Sequence, residues 1–279
     1  MSSTHALAHL LGGLVLLAAI GVARAASASG DAKLRADLEA VSHRTIYFGH
    51  QSVGGNIIDG MRQLAAQEGV PLRFLETQAA AGIPPGTCVH GLIGENGSPL
   101  LKIQGFERAL EATAGVDVAF MKFCYVDFHQ GTDVPALFSR YQAALRDLQK
   151  KHPRTAFVHV TTPLTTVQGG PKALLKRLLG RETSEVQNAR REQFNALVRK
   201  AYLGREPLFD LARIESTAPD GRIETIEWKG QAVPVLVSAY TDDGGHLNAE
   251  GQRRVARALV ALLASLPANQ GGVGTAAVR

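Results

Sequence analysis

Thr45-Ile46-Tyr47-Phe48-Gly49-His50-Gln51-Ser52-Val53-Gly54-Gly55-Asn56 is the stretch on which the fold turns. Ile46 to Phe48 is short, apolar and β-prone, and it stops at a glycine. A polar cluster follows, and then Ile57, Met61, Leu64 and Ala65 recur at helical spacing. The pattern predicts strand, tight turn and helix, with Ser52 in the turn. Backbone N–H groups at the start of a helix lack intrahelical partners and can hold an anion or a developing oxyanion. Serine is also a favoured N-cap residue. On this stretch alone, a nucleophile and a plain helix cap are both open readings.

Working outward, Leu34, Leu38 and Val41 share one face of a short opening helix. Beyond the helix that follows Ser52, Gly69 acts as a stop and Pro71 to Thr77 reads as a second strand. Residues 78–103 read as one long irregular region, holding Pro84-Pro85-Gly86, Cys88, His90 and Gly94-Glu95-Asn96-Gly97-Ser98-Pro99. Loops of that length in a compact domain are usually functional or disordered, and the apolar residues and cysteine favour an ordered functional loop. Val116 to Tyr125 is nearly all apolar, as expected of a central strand buried on both faces. Thr132 or Asp133 then caps a helix with Leu137, Tyr141, Ala144, Leu145 and Leu148 facing inward. Ala156 to Val160 is a further strand, and the polar segment 161–180 reads as a mobile lobe near the site. Ser184 and Gln187 have the spacing of a capping box opening a long helix. Leu208 to Ile214 reads as a fifth strand, Ile223 to Val237 as a hairpin broken at Lys229-Gly230, and Asn248 to Leu266 as the last helix. Strands alternating with helices predict one α/β domain over residues 30–267 with a mainly parallel sheet. Sites in such sheets lie at the carboxyl ends of the strands. Ser52, Asp127, the loop from Thr161 and the loop Asp243–His246 all fall there.

The 279 residues can bury a full core, and a formal charge of +5 without any dense Lys/Arg run gives no nucleic-acid groove. Leu10 to Val22 is apolar, and Ala23-Arg24-Ala25 has the small-x-small form of a cleavage site. Residues 1–25 therefore read as a signal peptide, although no Lys or Arg precedes the apolar run. The run is shorter than the roughly 20 residues a spanning helix needs, so no stable membrane span is expected after cleavage. A periplasmic or secreted protein follows, with residues 268–279 as a disordered tail. Cys88 and Cys124 form an even pair, a disulfide candidate in an oxidising compartment, with two buried thiols as the alternative.

Before the last helix stands Tyr240-Thr241-Asp242-Asp243-Gly244-Gly245-His246-Leu247-Asn248. Asp243, three residues before His246, can accept from one imidazole nitrogen and leave the other as general base. An Asp-x-x-His alone occurs often by chance. Paired with a serine after the first strand, at the opposite end of the chain, it is far more specific. Here the sequence resembles the SGNH/GDSL hydrolase superfamily, whose members place the nucleophilic serine just after the first strand and Asp-x-x-His just before the last helix. The resemblance spans Thr45 to Leu266 in order and topology. It implies a flavodoxin-like three-layer α/β/α fold, a Ser52–His246–Asp243 triad and no metal or other cofactor.

Two departures stand out. Gly49-His50-Gln51-Ser52 replaces Gly-Asp-Ser, and Cys124-Tyr125-Val126-Asp127 replaces the family's Gly-x-Asn-Asp, so the usual asparagine oxyanion donor is missing. The resemblance makes Gly94 a candidate backbone donor, with Asn96 as a replacement for the lost side chain. His50 is a further candidate donor or substrate ligand, with a histidine satisfied at the strand end as the alternative. Asp127 is a candidate for the same region or for ordering its loops, and Lys122 for pairing with Asp127. The expected activity is hydrolysis of small-molecule or glycan acyl esters, O-acetyl groups included. An O-acyltransferase and a non-catalytic carbohydrate-binding protein on the same fold are the alternatives.

Overall fold

The computed structural model describes residues 30–77, 83–112, 115–167 and 182–267. Six parallel strands form one sheet: β1 (Ile46–His50), β2 (Arg73–Glu76), β3 (Thr87–Leu92), β4 (Val118–Met121), β5 (Ala156–Val160) and β6 (Leu208–Phe209), in the order β2-β3-β1-β4-β5-β6. A separate antiparallel hairpin joins β7 (Thr225–Trp228) to β8 (Gln231–Pro234) around Lys229 and Gly230, as expected.

Side-chain alternation along the buried strands divides the core in two. Ile46, Phe48, Val118 and Phe120 face one layer, packed by helix α1 (residues 30–42), α2 (Val53–Glu68) and the last helix. Tyr47, Ala119 and Met121 face the other, packed by α3 (Pro99–Glu111), α4 (Val134–Lys151) and α5 (Ser184–Tyr202). A short α6 (Leu211–Ser216) precedes the hairpin, and α7 (Ala249–Ser265) closes the chain. The result is the three-layer α/β/α arrangement.

One contact brings the two ends of the chain together. A Cβ on Gly60 of α2 would lie 2.5 Å from the Gln252 carbonyl oxygen and 2.9 Å from the Ala256 Cβ of α7. The missing side chain lets these two helices approach backbone to side chain, and both begin at the same edge of the sheet.

Four expectations need correction. The irregular region 78–103 contains β3 and the start of α3. The strand was hidden because Thr87 and His90 interrupt its apolar pattern, yet both are buried, and His90 finds polar partners below the sheet surface. The fifth strand is only Leu208–Phe209, because Asp210 accepts from the Arg213 N–H and starts α6 there. Thr183, rather than Ser184, occupies the N-cap position of α5, and no side-chain cap bond forms. The cysteines are free and buried. Cys88 and Val118 both align with Ile46, from opposite sides of β1. Cys124 lies six positions past Val118, roughly 20 Å along an extended chain, while a disulfide needs Cα atoms within about 7 Å. Residues 1–25, 168–180 and 268–279, read as leader, part of the polar lobe and tail, lie outside the described residues.

Candidate active site

The sheet order reverses at β1, between β3 and β4, and ligand crevices in open α/β sheets form outside the carboxyl ends at such a point. Ser52 stands there, between β1 and α2. It is a non-glycine residue with positive φ (49°, with ψ −112°), a costly conformation that persists only where the surroundings enforce it. Its side chain makes no cap bond to the helix. Instead Oγ lies 2.6 Å from His246 Nε2. The cap reading of Ser52 is thereby set aside.

His246 Nδ1 lies 2.6 Å from Asp243 Oδ2. The other carboxylate oxygen, Oδ1, accepts from the backbone N–H groups of Gly245 (2.9 Å) and His246 (2.8 Å). The bond to His246, and then these two backbone donors, hold the Asp243 carboxyl well below the usual carboxylate range. The neighbouring Asp242 accepts from Asn248 Nδ2, leaving Asp243 as the partner of the histidine. The loop is fixed on both sides. Asn56 Oδ1, one turn into α2, accepts from the Leu247 N–H at 3.1 Å, and the Gly244 carbonyl accepts from the Thr166 N–H at 2.9 Å. Gly244 has φ +91°, and a Cβ there would meet Thr166 Oγ1 at 2.8 Å, so glycine is required on both counts.

The other sequence candidates are placed differently. His50 follows the strand inward and is only 3 % exposed. Its Nε2 lies 3.1 Å from His90 Nδ1, and His90 Nε2 lies 3.2 Å from an Arg62 guanidinium nitrogen. Burial, then the charge on Lys122 and the neighbour His90, push the His50 pKa down to about 3. A ring so enclosed cannot donate to a substrate, and the reason is the alternation of β1, which turns residue 50 under α2. Gly54 leaves it the space, since a Cβ there would fall 2.3 Å from that of His50.

Asp127 is also sealed off. Its side chain and that of Lys102 are both 0 % exposed and pair at 2.6 Å. The carboxylate also accepts from Gly97 N (2.8 Å) and Cys124 N (2.7 Å). It therefore joins the turn after β3 to the turn after β4 and reaches no substrate. Lys122 was the expected partner; instead its ammonium meets the Phe123 carbonyl (3.3 Å) and Cys124 Sγ (3.5 Å), and burial lowers its pKa. Lys102, a lone cation among Leu100, Leu101 and Ile103, was the overlooked signal for this pair. Asn96 is exposed, and its Oδ1 accepts from Lys102 at 3.2 Å. Gly94 does belong beside the serine turn, because the Gln51 amide donates to its carbonyl at 3.1 Å.

Sequence reading overlooked Tyr125, which opens a short 3₁₀ turn after β4. Its hydroxyl lies 3.5 Å from His246 Nε2, and its ring meets the imidazole edge-on at 5.8 Å. Only the Gly244-Gly245 pair signalled it in the sequence: a Cβ on Gly245 would touch this ring at 3.0 Å. Arg191, buried in α5, donates to the Tyr125 carbonyl at 2.9 Å and to Thr165 Oγ1 at 2.9 Å. A cavity of about 260 Å³ opens beside Asp243, bordered by Tyr125, Val126, Thr165, Thr166 and Gln187.

No family model matches the chain, and no curated protein matches it. Among solved structures it is similar to a lipase/acylhydrolase from Enterococcus faecalis (13 % identity, 79 % of this chain and 95 % of that one, TM-score 0.46). It is also similar to a member of the lipolytic protein G-D-S-L family from Veillonella parvula (13 % identity, 80 % and 98 %, TM-score 0.44). A third is an acetyl xylan esterase, AlAXEase (16 % identity, 77 % and 96 %, TM-score 0.44). In layer arrangement, and in the order Ser52, Asp243, His246 at the carboxyl edge of a parallel sheet, this chain resembles the SGNH/GDSL hydrolases.

Proposed function

We propose that the protein is an exported serine esterase of SGNH type, acting through Ser52, His246 and Asp243 on acyl esters, with O-acetyl groups on a carbohydrate as the favoured substrate. The observation that carries the reading is the continuous chain Ser52 Oγ–His246 Nε2 and His246 Nδ1–Asp243 Oδ2, 2.6 Å at both links. His246 takes the serine proton as Oγ attacks the acyl carbonyl. Asp243, ionised, fixes the ring orientation and stabilises the imidazolium. Backbone N–H groups of Ser52 and Gly94 receive the oxyanion. Collapse expels the alcohol, which takes its proton from His246. Water, deprotonated by the same histidine, then releases the acid from the acyl-serine.

The open surroundings, with threonine hydroxyls among them, support a hydroxyl-rich leaving group. The side chains of His246 and Asp243 are 45 % and 57 % exposed, and threonine hydroxyls border the adjoining cavity. The leader-like segment 1–25 supports export, and among the described residues no helix is long and apolar enough to cross a membrane. Fluorophosphonate labelling and p-nitrophenyl acetate hydrolysis of the mature protein test the assignment. Both should be lost in Ser52→Ala; hydrolysis undiminished in that variant would refute the nucleophile. Acetyl release from acetylated xylan, compared with release from longer-chain acyl esters, tests the substrate class.

A further inference from the structure

We propose that the Tyr125 hydroxyl is the side-chain donor to the oxyanion formed on Ser52, filling the role left open by the missing asparagine. The inference rests on the esterase reading above and adds to it a catalytic residue that neither the motif spacing nor the family pattern indicates.

Three observations support it. The first is position: the hydroxyl lies 3.5 Å from His246 Nε2, the same nitrogen that lies 2.6 Å from Ser52 Oγ, so it stands beside the point where the serine oxygen meets its base. Ser52 gives its proton to His246, which leaves the serine oxygen's lone pairs to accept from the phenol. When Oγ bonds to the acyl carbon, Oγ becomes a weaker acceptor. The former carbonyl oxygen, held on the same carbon, becomes an anion, and the phenol O–H swings its hydrogen bond to the stronger acceptor. No proton is transferred in this step; a hydrogen bond changes acceptor while the C=O electron pair moves onto oxygen.

The second is rigidity. The Tyr125 ring lies close against Gly245, where an added Cβ would meet it at 3.0 Å. Its backbone carbonyl is held by the buried Arg191, whose guanidinium also stands over the ring at 5.7 Å. A donor fixed before the reaction costs little reorganisation at the transition state. Burial also keeps the phenol above its ordinary pKa, so it remains a donor across the working pH range.

The third is that two polar side chains flanking the serine are committed elsewhere. Gln51 donates to the carbonyls of Ile93 and Gly94, and His50 is enclosed with His90.

The test is Tyr125→Phe, which keeps the ring and removes only the hydroxyl, assayed with p-nitrophenyl acetate and with an unactivated alkyl acetate. Loss of one oxyanion donor typically costs about 100- to 1000-fold in kcat. A loss of that order on both esters, with KM and the thermal midpoint little changed, is the expected result. The fluorophosphonate reaction of Ser52 should slow as well, since its phosphoryl oxygen also needs the donor. A loss confined to the alkyl ester would place the hydroxyl at the leaving group and overturn the proposal. So would a variant within about threefold of wild type on both esters. If wild-type protein neither hydrolyses an ester nor labels at Ser52, the esterase reading itself has failed. A Ser52-dependent wild type beside an unaffected Tyr125→Phe variant would sink only the inference about the tyrosine.

Discussion

Two histidines border the Ser52 turn, and they are opposite in kind. His50 is two residues away in the sequence, yet it is enclosed below α2 and hydrogen-bonded to another histidine. His246 is nearly two hundred residues away, stands at the surface, touches Oγ and is backed by a carboxylate. Proximity along the chain thus says little about which ring can act as a base. Burial, and then the charge on Lys122, hold His50 uncharged, whereas His246 lies at an open edge against the Asp243 carboxylate. The two carboxylates repeat the contrast. Asp243 presents one oxygen to an imidazole at the surface, while Asp127 spends both oxygens on a buried lysine and two backbone N–H groups. The first can serve chemistry and the second holds the loops that frame it.

That contrast can be broken most directly at the exposed pair. His246→Ala should lower kcat for p-nitrophenyl acetate on the order of 10⁵-fold or more, and Asp243→Asn on the order of 10⁴-fold, through loss of the correct tautomer and orientation. Unfolding midpoints in urea should move little for either, because both side chains are about half exposed. A large stability loss with modest kinetic loss would reverse the assignment.

Asp127→Ala should show the opposite balance. It leaves the Lys102 ammonium unpaired in the core, which costs about 3–5 kcal/mol. Urea unfolding measures this directly; a stability change under about 1 kcal/mol would show that the pair is not closed off from water. Any kinetic defect should follow from displacement of the Gly94 and Tyr125 turns that Asp127 connects.

The smallest effect concerns His50 and is visible only as a pH dependence. In the folded protein its pKa is pushed down to about 3, whereas the unfolded chain takes up a proton near the ordinary histidine value of about 6.5. Between those values the unfolded state binds more protons, so stability rises with pH. The contribution is fully present above about pH 6.5 and is lost progressively as pH falls toward 3. His50→Phe should therefore reduce the stability difference between pH 7 and pH 5 by about 2 kcal/mol, while kcat at pH 7.5 stays within about threefold. An unchanged pH slope would mean that the ring is already accessible to protons.

How far the sequence could be read follows from the same physics. The strand–turn–helix at Ser52, the Asp133 cap of α4, the hairpin at Lys229-Gly230 and the last helix were all legible, because local periodicity and turn chemistry suffice for them. Ser52, Asp243 and His246 were legible as candidates because a serine after the first strand and an Asp-x-x-His before the last helix occur in that order. β3 was not, since its buried His90 is satisfied by His50 of β1 and Arg62 of α2, which periodicity cannot see. Nor was the Lys102–Asp127 pair, which joins α3 to the turn after β4.

By itself the sequence determined the alternation of strands and helices, the parallel sheet this demands, and which residues of the first and last motifs carry reactive groups. The tertiary structure alone decided which of them meet. The close approach of α2 to α7 at Gly60 brings Ser52 to His246, and the missing side chain of Gly245 admits Tyr125 beside them. The strand alternation that buries Phe48 on one layer and Tyr47 on the other leaves His50 enclosed beneath α2. The division has a physical reason. Hydrogen bonds and steric clearances between segments far apart in sequence depend on packing distances of a few ångströms, and those exist only once both sides of the core have closed.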